Sequence, residues 1–265
     1  MALSGDRRSC PPDREASDPA PGRYEFRTVS AGVETLSGSL SMPRHHHSKG
    51  YATIVLAGSV NEVSFAGRMS AGPGGVLLHG AFDCHLDRAS GRRSLQILRL
   101  PWKHHALEGQ FQVQDPDALA RLAETDPQLA ASRLHEQLRP SPARDRYWVD
   151  ELAAALARDS AFLLQDWAEQ RSLRPDAVSR VFGHEFGVSP KRFRLESRTR
   201  LAWREVVGSA RLLTEIAFGA GFSDQAHLSR SIRTFTGRAP HAWRRVRSGR
   251  EPSKPCDRDE AQHQA

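Results

Sequence analysis

The spacing of hydrophobic positions changes character along the chain. Between Tyr24 and about Val113 they fall in short β-compatible runs, YEFRTV, ETLSGSL, ATIVLAG, NEVSFAG, GVLLHG, FDCHLDR, SLQILRL and QFQVQ, separated by Gly, Pro, Ser or Arg clusters. Short strands at near-regular spacing predict a barrel or a two-sheet jelly roll rather than a parallel sheet. From Pro116 to Leu138 the period lengthens: Leu119/Leu122 and Leu134/Leu138 recur at helical spacing. Asp126-Pro127 supplies an N-cap and a first-turn proline that divide this stretch into two helices. The segment RPSPARDR at 139–146 reads as a polar linker, and everything from Trp148 to Arg247 as helices.

That helical part contains two similar halves. In Leu163–Gly187, Ala168 sits on a first helix, Arg171-Ser172-Leu173 makes a turn and Pro175 opens a second helix. Val178, Val181 and Phe182 are read as facing inward there, with Asp176, Ser179 and Arg180 outward. In Leu213–Gly237, Ala217 sits on the first helix, Gly219 to Phe222 form the turn, and Ser223 is the expected N-cap, followed by Asp224 at the positive end of the dipole. Leu228, Ile232 and Phe235 recur at i, i+4 and i+7 and share a buried stripe. Ala226, Ser229, Arg230 and Arg233 then point the other way, flanked by Gln225 and His227. Each half stops at a glycine followed by a proline, Gly187 with Pro190 and Gly237 with Pro240, and a helix from Lys191 to about Val207 spaces them. A helix that hides Leu, Ile and Phe and shows Gln, His, Ser and Arg suits a DNA major groove. An ordinary amphipathic surface helix explains the same stripe.

Charge separates those alternatives. The chain has 265 residues and a formal net charge of +7. Between Glu151 and Arg247 there are 17 basic and 10 acidic residues, so the whole excess lies in the helical part, and every one of the 17 except Lys191 is arginine. A basic, arginine-rich helical region beside a neutral one is the electrostatic footprint of a nucleic-acid binder.

On these residues the chain resembles the AraC/XylS family of bacterial transcription regulators. The matching positions are Ile216-Ala217, Gly221-Phe222-Ser223-Asp224-Gln225, Leu228-Ser229-Arg230, Phe235, Gly237, Pro240 and Trp243-Arg244. The first half matches through Ala168, Pro175, Ser179-Arg180, Phe182, Phe186 to Pro190 and Leu201-Ala202. The resemblance implies an α+β two-domain chain, with a cupin-like β-barrel followed by helices and an all-α double helix-turn-helix domain. The expected division is a disordered tail at 1–22, a barrel sensor at 23–114, a helical segment at 115–138 that caps the barrel or dimerises, a linker at 139–147, the DNA-binding domain at 148–247 and a disordered tail at 248–265. It also implies that the two helix-turn-helix units bind DNA, each inserting its second helix into the major groove. Carried over by position, the base-reading candidates are Asp176, Ser179 and Arg180 in the first unit and Gln225, Ala226, His227, Ser229 and Arg230 in the second, with Arg233 on the same face. Arg174 replaces the family's serine N-cap, Ser172 its turn glycine, and Gly183 lies in mid-helix. The second unit is therefore expected to dominate recognition.

Seven of the 12 histidines lie between His45 and His105. Metal-binding cupins use a His-x-His pair, a Glu and a later His. Here His45 and His47 are read as alternating on one strand face, Tyr51 stands at the Glu position and His85 near the later His. These four are the candidate effector pocket; no cofactor is expected, and a divalent metal on the imidazoles is the alternative reading. Three scattered cysteines, Cys10, Cys84 and Cys256, give no disulfide framework, and no apolar run is long enough for a membrane span. The expectation is a non-enzymatic, cytoplasmic, sequence-specific DNA-binding regulator that recognises promoter half-sites as a homodimer. A small-molecule effector controls it, and it contacts RNA polymerase if it activates. The rivals are a metal-dependent cupin enzyme fused to a DNA-binding domain, against which Tyr51 argues, and a non-specific DNA binder.

Overall fold

The computed structural model describes residues 30–89, 91, 94–104, 107–142, 147–158 and 162–247. The strand read at 24–29, the two tails, Cys10, Cys256, His105 and most of the 143–147 stretch of the linker lie outside them.

Among the described residues ten strands make two antiparallel sheets. They are β1 (Gly32–Leu36), β2 (Ser41–His45), β3 (Tyr51–Ala57), β4 (Val60–Ser64), β5 (Gly67–Ala71), β6 (Gly75–His79), β7 (His85–Ala89), β8 (Leu95–Pro101), β9 (Gly109–Gln112) and β10 (Arg139–Pro140). One sheet runs β1-β8-β3-β6-β9-β10 and the other β2-β7-β4-β5. Val55, Leu77, Leu95 and Ile97 of the first pack on Val60, Met69 and Ala71 of the second. Among the described residues no ladder joins the sheets, so the expected barrel is two facing sheets that do not close. Arg139 and Pro140, read as linker, instead pair with Gln112 and Phe111.

Helices α1 (Pro116–Thr125) and α2 (Pro127–Gln137) cover the outer face of the larger sheet. Asp115 and Asp126 cap them, Asp126 accepting from the Gln128 and Leu129 amides. Leu119, Ala123, Ala130 and Leu134 meet Ala52, Ile54, Val76, Leu78, Leu98 and Leu100, with Leu122 and Leu138 at the margin. The leucine stripes of the segment expected to cap the barrel or dimerise thus pack on the sheet. Strand β3 is covered on both faces, and Tyr51 to Val55 are all buried.

Among the described residues seven helices follow: α3 (Trp148–Arg158), α4 (Leu164–Glu169), α5 (Pro175–Phe186), α6 (Pro190–Gly208), α7 (Leu213–Gly219), α8 (Gln225–Thr236) and α9 (Pro240–Arg247). Each helix-turn-helix unit has its own core, and residues of the β-sheet half complete both. Val63 and Leu86 join Val149, Leu152, Trp167, Val178, Phe182, Phe186 and Phe193. Ala81, Phe82 and Cys84 join Trp203, Val206, Ile216, Phe222, Leu228, Ile232 and Phe235.

Helix α6, read as a spacer, is also the seam between the halves. Arg44 Nε lies 2.9 Å from Glu196 Oε2, with both side chains buried. The Arg200 guanidinium donates to Glu108 at 2.7 Å, lies 3.5 Å from Asp83 and sends Nε to the Ala81 carbonyl at 3.0 Å; Arg204 also reaches Glu108. Burial opposes the Arg200 charge, but Asp83 and Glu108 raise its pKa further, so the group stays a cation. Below these, Arg68 holds Asp150 of α3 at 2.9 Å and Glu185 of α5 at 3.5 Å.

Candidate functional site

The second unit is built as its sequence suggested, with one shift at the cap. Gly221 turns the chain at φ 73°, a left-handed conformation that favours glycine. Asp224, not Ser223, is the N-cap: it accepts from the His227 amide at 2.7 Å, while the Ser223 hydroxyl donates to Asp224 at 3.1 Å. These hydrogen bonds, the His227 amide foremost, hold the Asp224 carboxyl below its usual range. A carboxylate accepts amides better than a hydroxyl and suits the positive helix end, so the charged residue takes the cap. Leu228, Ile232 and Phe235 are buried, and Gln225, Ala226, Arg230 and Arg233 stand exposed. Ser229 is half-buried. His227 is also half-buried, its Nδ1 3.2 Å from Ser223 Oγ and its ring edge-on to Phe222 at 5.1 Å, so it braces the turn as well as edging the exposed face. Arg230, Arg192, Thr199 and Phe235 border a small cavity of about 150 Å³ between α6 and α8.

The first unit has the same plan with weaker local support. Ser172 takes the turn position at φ 54°, where a side chain is strained. Arg174 occupies the N-cap without a side-chain cap bond and instead pairs with Asp176 at 3.2 Å, which offsets the acid on the outward face. Arg180 and Asp176 are exposed and Ser179 half-buried. The inward stripe is Val178, Phe182 and Phe186, whereas Val181, read as inward, is 41% exposed. Two residues at i, i+4 and a third at i+8 define the seam, and Val181 falls to its side. A Cβ on Gly183 meets nothing within 4 Å. Gly183→Ala is therefore expected to raise stability by about 0.5–1 kcal/mol through helix propensity, measured by urea unfolding.

In the β-sheet half the candidate histidines converge. His45 and His85 pair across β2 and β7, their ring centroids 4.3 Å apart. His47 lies beyond the end of β2, contrary to its reading as a strand residue, because the chain turns there towards β3. It still reaches the group, 5.1 Å from His45 and 4.8 Å from Tyr51. Tyr51 OH is 2.9 Å from His85 Nε2 and stacks on His79 at 4.4 Å. The sequence reading left out His79, Glu62, Asp83 and Asp87. His79 Nε2 is 3.3 Å from Glu62 and its Nδ1 3.4 Å from Asp83. Burial opposes a charge on His79, but the two carboxylates override it and hold the ring protonated, raised to about 10. Burial drives His85 well below its ordinary value, helped by the His79 charge. His46 points the other way, into the C-terminal core, 4.8 Å from Phe235, and burial pushes it down to about 4. Tyr51 and His79 are partners in the β3–β6 register, a pairing over distance that no local pattern of the sequence shows.

A second cavity, about 620 Å³, lies elsewhere, between β4, β5 and the helices. Glu62, Arg68, Glu108, Gln110, Asp150 and Glu185 are among its lining residues. Of the candidate pocket residues none lines it; Glu62 alone connects it to the histidine group.

Residues 167–246 match the family model described as a helix-turn-helix domain. The chain thus carries a helix-turn-helix domain over these residues. No curated protein matches the chain. Among solved structures it is similar to the C-terminal domain of AraT, a response regulator from Geobacillus stearothermophilus, at 22% identity and a TM-score of 0.36, over 46% of this chain and 100% of that one. It is also similar to ToxT from Vibrio cholerae with a bound unsaturated fatty acid, at 12% identity and a TM-score of 0.37, over 84% of this chain and 97% of that one. The DNA-binding domain of AdpA in complex with a target DNA aligns at 24% identity and a TM-score of 0.36, over 40% of this chain and 96% of that one.

Proposed function

We propose that the protein is a cytoplasmic, sequence-specific DNA-binding transcription regulator whose β-sheet half holds a small-molecule effector, and that it works by binding rather than catalysis. The observation that carries the reading is α8: its apolar stripe is sealed in a core while Gln225, Ala226, Arg230 and Arg233 stand exposed beside half-buried Ser229. Arginine and glutamine at such positions match guanine and adenine edges in the major groove. Helix α5, with Ser179 and Arg180, supplies a second and weaker contact. The domain limits follow the elements, with the sheets and α1–α2 as sensor and α3–α9 as DNA-binding domain. Promoter half-sites as targets and a homodimer on them extend this reading, as does contact with RNA polymerase if the protein activates. A dimer must use contacts other than Leu119 and Leu134, which are buried against the sheet.

Selection of bound sites from random DNA at low and physiological salt tests the proposal. The expected result is one enriched motif at both salt concentrations, with paired half-sites if the protein is dimeric. Binding without a motif that collapses as salt rises would instead mark a non-specific binder.

A further inference from the structure

We propose that the cavity bordered by β4, β5, β9 and helices α3 and α5 binds a small organic cation, an ammonium or amidinium head on an apolar body, and that this ligand is the effector. The inference rests on the proposed function in taking the β-sheet half as the sensor.

The cavity lies where the two sheets fail to close. Strand β5 ends one sheet and β9 stands next to last in the other, with no ladder between them. The Gln110 side chain bridges the gap instead, donating to the Ser70 carbonyl at 2.8 Å and accepting from the Ser70 amide at 3.4 Å. Gln110 is also part of the cavity wall. The space of about 620 Å³ falls within the range of small-molecule sites, and Val63, Met69 and Leu86 supply an apolar wall for a ligand body.

The charge of the head follows from Glu62, which is 2% exposed and belongs to the same wall. Its Oε2 meets His79 at 3.3 Å, but its Oε1 accepts no hydrogen bond from the described residues, and neither does Ser141 Oγ in the wall. Leaving a buried carboxylate oxygen without a donor is costly. Two further acids face it: Asp87 directly opposite in the β4–β7 register, and Asp83, which shares the His79 ring. The other acids of the wall have cationic partners. Arg68 holds Asp150 and Glu185, and Arg200 and Arg204 hold Glu108. Arg88, the remaining cation of the wall, is exposed. Burial, with Asp87 and Asp83, raises Glu62 to about 7 against the pull of His79. A proton and a cationic ligand therefore compete for one oxygen near neutral pH. An anionic ligand would face these carboxylates unpaired, and a neutral hydroxyl would donate without offsetting their charge.

Both halves of the chain build this wall. Asp150 lies on α3 and Glu185 on α5, the second helix of the first helix-turn-helix unit. An occupant thus touches the sheets and α5 together, and favours the arrangement that keeps them in place.

The test titrates the full chain with benzylamine, butylamine and benzamidine, and with benzyl alcohol and butanol as neutral counterparts, by calorimetry. An amine or the amidine should bind about 10-fold or more tighter than its counterpart. Repeating the titration in phosphate and Tris should reveal on the order of half a proton released at pH 7. Affinity should fall about 10-fold per pH unit below about pH 6. Glu62→Gln, checked for folding by circular dichroism, should lose both the preference and the proton release. Equal binding of amines and alcohols, no proton release, or a preference that survives Glu62→Gln overturns the site. If the variant does not fold, the proton count on the unaltered chain decides. The bound cation should change affinity for the selected DNA motif by about 5-fold or more. Equal affinity with and without it overturns the effector role and leaves the regulator reading standing. If the chain shows no sequence preference at all, the regulator reading fails, and calorimetry alone judges the site.

Discussion

Replacing Phe82 with alanine is expected to remove about 3–5 kcal/mol of stability and to split unfolding into two transitions. The ring is fully buried, edge-on to Trp203 at 4.7 Å and to Trp243 at 5.6 Å, yet the residue belongs to the turn between β6 and β7. It therefore closes the core of the second helix-turn-helix unit from outside that unit. Its backbone lies at φ 57°, a left-handed conformation that costs a residue with a Cβ about 1–2 kcal/mol. The packing of the ring sustains that conformation together with the Phe82 amide's hydrogen bond to the His47 carbonyl at 2.7 Å. This gives a second, sharper expectation. At most sites glycine is worse than alanine by about 0.5–1 kcal/mol, but here Phe82→Gly should be no worse than Phe82→Ala, because glycine accepts the backbone angle. Trp102 lies in the sheet–helix core and Trp203 and Trp243 in or beside the other, so tryptophan fluorescence in urea follows both halves. A single transition within about 1 kcal/mol of the parent would show that the ring does not join them.

The helical half was legible because its signals are local. The i, i+4, i+7 stripe of Leu228, Ile232 and Phe235, the glycine stops and the prolines after them all act within one or two turns. Residues a few positions apart determine them, and the structure places them accordingly. Local signals also led to the misreadings. Val181 lies near the boundary of the α5 stripe, where a period of 3.6 does not decide between burial and exposure. Strand β2, SMPRH, has Pro43 and few apolar residues, so its end at His45 was not visible and His47 was carried along with it. What the sequence could not show is pairing over distance. Glu196 and Arg200 look like solvent-facing residues of a polar helix. They are buried because Arg44, 152 residues from Glu196, and Glu108, 92 residues from Arg200, meet them across the seam. Period-2 alternation likewise identifies the faces of a strand but not whether the outer strands of two sheets pair. The open two-sheet arrangement follows from edges that no pattern encodes.

Arg230→Ala is expected to weaken binding to the selected DNA motif by about 1–3 kcal/mol, roughly 5- to 150-fold, and to relax preference at one base position. Arg180→Ala should cost less, although the two arginines hold equivalent places on α5 and α8. The difference lies in how firmly each helix is presented. Asp224 satisfies the first amides of α8, and Gly221 makes its turn without strain. Helix α5 begins at an uncapped Arg174, follows a strained Ser172 and contains Gly183, so ordering its first turns against DNA consumes more of the contact energy. Asp176 beside Arg180 further reduces the attraction of that face for phosphates, even with Arg174 paired to it. Fluorescence anisotropy on the motif and on scrambled DNA, each at several salt concentrations, separates the possible roles of Arg230. A base reader loses affinity for the motif and keeps its affinity for scrambled DNA. A phosphate contact loses affinity for both equally, and its salt slope falls by about 0.9. Unchanged affinity on both would remove Arg230 from the interface and leave the reading to the other candidates of α8, Gln225, Ala226, His227, Ser229 and Arg233.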